Sequence, residues 1–404
     1  MRKLKCVAIG VLVAAAVAAS LAVGTAGAQS GSNKKTLYVY GAFETKGESP
    51  VAIPNYDDGA KLAVKDLEKQ GWTVTYERTP ASGTIAASQE AAFVAALPKN
   101  PDIYFGLPST NVFIPVGPKV AATDLPTFAL ASPTEGVKTG PSGGDNIFLV
   151  RPLNEQVYAK SVEYACTKLK LKKLGISLVN TALGTTALET AKREAAKHRG
   201  CSIVSEQTNS AAATDLTQQV LGFKNAGVDG VIAANFPNPT GVLVNQARQN
   251  GLTVPIIGNT SINLAKESTA LQSTADLYVV DDCTPDLRKD AVAKKFVKAY
   301  QAEYGYVPNY AAAQVYDAIH MAANAVEKVG HDHAKIVKSL AGTQYDGVCE
   351  FTNDKNNVMA QSVTIFTYNT DGSKKLIRVV PLDFVPNEEL VVATTLAPTT
   401  TLAR

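Results

Sequence analysis

The sequence predicts an α/β protein made of two doubly wound parallel-sheet lobes joined by a hinge. Short Val/Ile-rich apolar runs alternate with helix-period segments along two successive stretches, and the stretches meet at IFLVRPLNEQ, residues 147–156. Length points the same way. Of 404 residues, 28 read as an export signal and 16 as a loose C-terminal tail, and the remaining 360 exceed one ordinary core and suit two.

The export signal comes first. Arg2, Lys3 and Lys5 charge the start, Val7 to Val23 is apolar and Ala-rich, and Ala26-Gly27-Ala28 offers small-residue cleavage before Gln29. A retained anchor is the competing reading; the Ala-rich run and small-x-small exit argue for removal. Cys6 stands too early to be the acylated cysteine of a lipoprotein signal, so no lipobox is read. No later stretch is long and apolar enough to span a bilayer. A periplasmic or extracellular chain is expected.

In the first series, residues 36–43 form a β-rich run. DDGAKLAVKDLEKQG (57–71) follows with Ala60, Ala63, Val64 and Leu67 at helical spacing and Gly71 as its stop. WTVTYERT, the Ala-rich stretch 84–97, DIYFGL, the segment 111–124 and LPTFALA continue the alternation, as a parallel sheet covered on both faces requires. After the junction, the helical NEQVYAKSVEYACTKLK opens a second series: KLGISLV, helix 184–199, CSIVSEQ, helix 214–226, DGVIAANF, helix 239–250, VPIIGN and ADLYVVDD. Two long helical patterns, 286–304 and 309–329, follow a complete second lobe and are expected to return to the first. Residues 362–380 read as a hairpin turning at Asp371-Gly372. The expected division is 34–150 with 284–346 in lobe 1, 151–283 with 347–388 in lobe 2, and a disordered Thr/Pro/Ala tail over 389–404.

Charges nearly cancel, 39 Lys and Arg against 36 Asp and Glu, and the basic residues are scattered, so nucleic acid is not an expected partner. Four cysteines survive processing, which in an oxidising compartment invites disulfides with three possible connectivities. The pairing Cys166–Cys201 and Cys283–Cys349 is expected. Cys166 ends the first helix of the second lobe and Cys201 begins a strand of that lobe, so the two can staple neighbouring elements. No cysteine or histidine spacing suits zinc.

Open parallel sheets bind ligands beyond the carboxyl ends of their strands, where helix N-termini present free N–H groups. Those places hold Ser109, Thr110 and Asn111; Ser132 and Thr134; Asn180; Asn235 and Phe236; and Thr260. Ser, Thr and Asn also cap helices there, and one residue can do both. Catalysis lacks a motif: there is no nucleophile elbow, phosphate loop or HExxH. His198 sits near a helix end, His320 inside a helix, and His331-Asp332-His333 reads as two histidines beside an N-cap aspartate. Neither an enzyme nor a cofactor is expected.

Several segments in order resemble one family: GAKLAVKDLEKQG, FGLPSTNVFIPV, FALASPTEG, NIFLVRPLNEQVYAKSVEYA, DLTQQVLGFKNAGVDGVIAA and PNYAAAQVYDAIHMAANAVEKVG. Over about residues 35–385 the chain resembles the solute-binding proteins of ABC transporters of the branched-chain amino acid type, with the type I periplasmic binding fold. The resemblance implies a two-lobed clamp, a monomer, that closes on a small molecule and presents it to a membrane permease. It implies that Ser109, Thr110 and the loop Ser132 to Glu135 hold a ligand carboxylate, and that Tyr56 covers the ligand. Two positions depart from the family. Thr260 stands where an acid usually pairs the ligand ammonium, and Leu183 where a tyrosine is frequent. Glu44, Glu135, Asp281 or Asp282 are the candidates to replace that charge, with Glu44 and Glu135 otherwise solvated and the Asp pair otherwise a feature of the hinge surface. A small carboxylate, amide or neutral polar metabolite fits the hydroxyl-rich set better than a branched-chain amino acid. A ligand-sensing or wall-associated surface protein on the same fold is the alternative function.

Overall fold

Strand β1 (Thr36–Ala42) pairs in parallel with β2 (Thr73–Thr79) on one side and β3 (Ile103–Gly106) on the other, and β4 (Thr127–Ala129) and β5 (Ile147–Leu149) complete a five-stranded sheet in the order β2-β1-β3-β4-β5. In this computed structural model the described residues are 35–382 except 46, 47, 49–52, 54, 269 and 270. The expected signal (1–28) and tail (389–404) lie outside them.

Helices cover both faces, because β1, β3, β4 and β5 carry apolar side chains on both sides. On one face α2 (Ala86–Ala96) and α3 (Thr110–Ala121) enclose Tyr40, Tyr104, Phe93 and Phe113. On the other, α1 (Asn55–Lys69) encloses Val39, Phe105 and Phe128 together with helices that arrive much later in the chain.

The chain then leaves through Val150–Leu153 into α4 (Asn154–Thr167) and a second sheet. Its parallel strands are β6 (Lys173–Val179), β7 (Ser202–Asn209), β8 (Gly230–Ala234), β9 (Ile256–Gly258) and β10 (Leu277–Asp281), ordered β10-β9-β8-β6-β7. Counted along the chain, this repeats the first sheet's order. The intervening helices are α5 (Ala182–Ala196), α6 (Thr217–Asn225), α7 (Pro237–Gln249) and α8 (Thr260–Ser268).

After β10 the chain returns. A short 3-10 turn, Pro285–Leu287, precedes α9 (Ala291–Tyr304), whose start is fixed by the Asp290 side chain accepting from Ala293 N at 2.8 Å. The pattern expected as one helix over 286–304 is therefore broken by that cap. Helix α10 (Tyr310–Val329) is buried along most of its circumference and joins α1 in the first sheet's core, as does Ile336 of α11 (His333–Leu340).

The pair β11 (Gln344–Tyr345) and β12 (Phe351–Thr352) stays beside the first sheet. The expected division put 347–388 wholly in lobe 2, yet Val348, Phe351 and Met359 pack in the α1/α10 core. Val358 bridges Leu149, and the Asn357 amide donates to the carbonyls of Gly144, Asp145 and Ile147 at 3.2, 3.1 and 3.1 Å. Those bonds satisfy the open edge of β5, and the crossing back comes only near Gln361. Then β13 (Ser362–Tyr368) and β14 (Lys374–Pro381) add an antiparallel hairpin to the second sheet beyond β10, with Gly372 in its turn at φ 79°.

The four cysteines meet in two pairs. Cys166 faces Cys201 with Cα atoms 5.9 Å apart, and Cys283 faces Cys349 at 5.4 Å.

Candidate functional site

Both sheets place their third strand on the far side of the first from the second. Such a switch in strand order marks the carboxyl ends of β1 and β3, and of β6 and β8, as the places where open parallel sheets bind ligands. The two sets of strand ends are joined by direct contacts.

Several expected residues meet at this junction. Ser132 donates to the Arg151 carbonyl at 2.8 Å, and Thr260, opening α8 after β9, accepts from Arg151 Nη2 at 3.2 Å. Thr110, at the start of α3, accepts from the Asn154 amide of α4 at 2.9 Å. Tyr56, second residue of α1, is buried against Phe43, with ring centroids 5.6 Å apart, and its hydroxyl faces that of Tyr310. Burial raises the Tyr56 pKa, so the phenol stays a donor. Asn111 Oδ1 is buried and unpartnered.

Other expected residues have different work. Ser109 holds the α3 N-cap position, but its hydroxyl bonds no helical N–H; it donates to the Gly83 carbonyl at 2.6 Å. Asn235 is fully buried and donates to Ser177 Oγ at 2.9 Å, leaving its own Oδ1 free. Phe236 and Leu183 pack with the second sheet's core, and Asn180 is exposed.

Sequence reasoning missed Arg151 as a site residue. The second residue beyond β5, it donates through Nε to Asp282 Oδ2 at 2.5 Å while its guanidinium lies 4.7 Å from the centroid of Tyr310. Burial opposes its charge, but the neighbouring Asp282 carboxylate prevails and raises its pKa. The signal was an Arg-Pro pair directly after a strand at the predicted hinge. Asp281 and Asp282, weighed as hinge-surface residues, are both buried, 1% and 2% exposed. Burial and the neighbouring Asp282 charge push Asp281 up to about 7.

Two more carboxyls sit on the first-sheet side. Glu135 lies in the 3-10 turn Thr134–Gly136 after β4, and Glu155 is the second residue of α4; each has Oε2 buried without a partner. Burial pushes Glu155 up to about 7 against the pull of the nearby Thr134 hydroxyl, and Glu135 adds like-charge repulsion. Glu44 instead lies under the Gly83 amide at 3.5 Å.

The histidines are occupied elsewhere. His331 pairs with Asp102 at 2.7 Å, His333 with the Pro101 carbonyl at 2.9 Å, and His198 with Glu194 at 2.9 Å, while His320 lies tilted against Tyr316 and is lowered to about 4 by burial. Among the described residues no cluster suits a metal ion. No helix among them is long and apolar enough to cross a membrane.

A family model described as periplasmic binding protein matches residues 44–373. No curated protein matches the chain. Among solved structures, a leucine-binding protein from Thermotoga maritima is 18% identical with a TM-score of 0.76, over 85% of this chain and 99% of that one. A branched-chain amino acid transporter substrate-binding protein from Streptococcus pneumoniae, in complex with isoleucine, is 20% identical with a TM-score of 0.74, over 86% and 99%. An ABC-transporter solute-binding protein from Rhodopseudomonas palustris, in complex with 3,4-dihydroxybenzoic acid, is 18% identical with a TM-score of 0.76, over 88% and 99%.

Proposed function

Because the chain belongs to the periplasmic binding protein family, we propose that it captures a small polar solute between its two lobes outside the cytoplasmic membrane and delivers it to an ABC permease. One observation carries this reading: buried polar atoms without protein partners gather where the strand ends of both sheets meet. Asn111 Oδ1, Asn235 Oδ1, Asp282 Oδ1 and Gln314 Oε1 are among them. Leaving such a group unsatisfied costs about 1–3 kcal/mol, so a site that holds several is built to receive a partner.

The solutes named for the similar structures include isoleucine and a dihydroxybenzoic acid. Their shared group is a carboxylate, which suits the hydroxyls and helix starts at Thr110 and Thr134. An amino acid or a related carboxylate or amide is therefore the ligand class, with Tyr56, Ser132 and Thr260 beside it. In this reading the mature chain is an exported monomer, and Cys166–Cys201 and Cys283–Cys349 are disulfides closed on export.

The test is a thermal-shift screen of amino acids, amides and small organic acids, followed by small-angle scattering with each hit. The radius of gyration is expected to fall on binding, since the ligand bridges both lobes only in the closed form. A hit that raises the melting temperature without compaction would sink the clamp.

A further inference from the structure

We infer that α8 is the latch by which the lobe of the second sheet closes on the first, and that Glu267 and Asn309 are the positioning residues that set the open–closed balance without touching the ligand. The inference rests on the solute-binding reading above and names the contact that governs its closing step.

Helix α8 belongs to the second sheet by connection, following β9 and leading into β10, and its Ile262 packs in that sheet's core. The opposite face is turned to the first sheet. Thr260, Leu264 and Glu267 recur at i, i+4 and i+7, which is one stripe along a helix. Thr260 meets Arg151 Nη2 at 3.2 Å, and Leu264 packs in the α1/α10 core with 8% of its surface exposed. Glu267 Oε2 accepts from the amide of Asn309, the N-cap of α10, at 3.0 Å. Each residue of the stripe therefore reaches beyond its own sheet.

The polar end of the stripe is fully committed. Asn309 Oδ1 accepts from Ala311 N at 3.0 Å, and its two amide hydrogens go to Glu267 Oε2 and Asn55 Oδ1, each at 3.0 Å. Asn55 opens α1 one residue before Tyr56, and its own amide donates to Tyr300 Oη of α9 at 3.3 Å. On the other side Glu267 Oε1 accepts from the Asn263 amide at 3.0 Å, and Asn263 Oδ1 accepts from Tyr368 Oη of β13 at 3.3 Å. A chain of side-chain hydrogen bonds thus runs from the second sheet through Glu267 to the starts of α10 and α1 over the first. Asn263 and Tyr368 move with the second sheet and Asn309 and Asn55 with the first, so opening the lobes breaks this chain at the Glu267–Asn309 bond. Local preference does not account for the glutamate. A carboxylate in the last turn of a helix opposes the macrodipole, and Glu267 is not held there by burial, since much of it stays in solvent.

The experiment is small-angle scattering of the ligand-free mature chain, fitted as a mixture of open and closed forms, with melting temperatures measured alongside. Wild type is compared with Glu267→Ala, Asn309→Asp and the double variant Glu267→Gln/Asn309→Asp. Asn309→Asp keeps an acceptor for Ala311 N but replaces the donor to Glu267 with a second carboxylate, and Glu267→Gln then supplies a donor from the other side. The closed-to-open ratio is expected to fall about fivefold or more in each single variant, as loss of a hydrogen bond to a charged group allows, and to recover in the double variant. Melting temperatures should stay near that of wild type; if one single variant fails to fold, the other decides. Single variants with the wild-type radius of gyration, or a double variant as open as Asn309→Asp, would overturn the latch. No ligand enters this comparison, so that failure leaves the solute-binding reading standing, whereas hits from the ligand screen that produce no compaction sink that reading by themselves.

Discussion

Arg151 and Asp282 hold one another across 131 residues of sequence, Nε to Oδ2 at 2.5 Å, and they belong to two different passages of the chain between its sheets. The first passage leaves β5, the second leaves β10, and Thr260 of α8 and Tyr310 of α10 touch the same guanidinium. One side chain thus ties the hinge to both lobes.

Removing Arg151 alone strands a carboxylate that is almost wholly buried. Arg151→Met is expected to cost about 3 kcal/mol or more in urea unfolding, because the uncompensated Asp282 charge remains inside. Asp282→Asn should cost less, since the arginine side chain keeps 17% of its surface in solvent. The double variant Arg151→Met/Asp282→Leu should recover part of the loss. Strictly additive costs would show that the pair does not act as a unit.

Much of this fold was legible because local signals agreed. The Val/Ile-rich runs, the stop at Gly71 with φ 87° and the hairpin at Asp371-Gly372 each rest on a residue's own backbone preference. The long pattern 309–329 was clear for the same reason, its apolar residues recurring at helical spacing. Contacts remote in sequence were not legible. That 347–361 clings to the β5 edge depends on Asn357 reaching carbonyls about two hundred residues earlier, and that Arg151 meets Asp282 depends on two crossings converging. Position at a strand end grouped Thr110, Ser132 and Thr260, which are buried, with Asn180, which faces solvent, and could not separate them.

The cysteine pairs make a stability prediction. Cys166 and Cys201 are 35 residues apart, and Cys283 and Cys349 are 66 apart. Closing loops of that size is worth about 3–4 kcal/mol each in the chain-entropy description. Cys166→Ser/Cys201→Ser and Cys283→Ser/Cys349→Ser should each lower the melting temperature by several degrees, and reductant should do the same to wild type. Intact-mass spectra after alkylation in denaturant, without reductant, should show no label; labelled thiols would remove both bonds.

Acidity provides a separate handle on Glu155 and Asp281. Glu155 and Asp281 titrate near 7 in the folded chain against ordinary values of 4.5 and 3.8. Between those limits the folded state holds more protons than the unfolded one, so their contribution falls as pH rises from about 4 to about 7 and is flat above. His320 acts oppositely: lowered from 6.5 to about 4, it adds stability as pH climbs through that window. Relative to Glu155→Gln, the ligand-free wild type should therefore lose melting temperature between pH 5 and pH 7.5, a comparison in which the histidine cancels. Parallel curves for the two proteins would mean that Glu155 does not hold its proton in the fold.

Helix packing sets the position of Tyr56, the proposed aromatic cover. A Cβ on Gly59 would lie 2.4 Å from the Ala312 carbonyl oxygen and 2.7 Å from its Cα, so α1 and α10 touch backbone to backbone there. Gly59→Ala gains about 1 kcal/mol of helix propensity but must push the helices apart, and overpacking of this kind costs about 1–3 kcal/mol. A net loss of stability is expected, larger than for Gly71→Ala, where nothing stands within 4 Å and only the left-handed backbone resists. Because Tyr56 lies one turn before Gly59 on α1, the same shift should displace its hydroxyl and weaken ligand binding in calorimetry. Stability lost with affinity intact would separate the packing of α1 from the cover proposed for Tyr56.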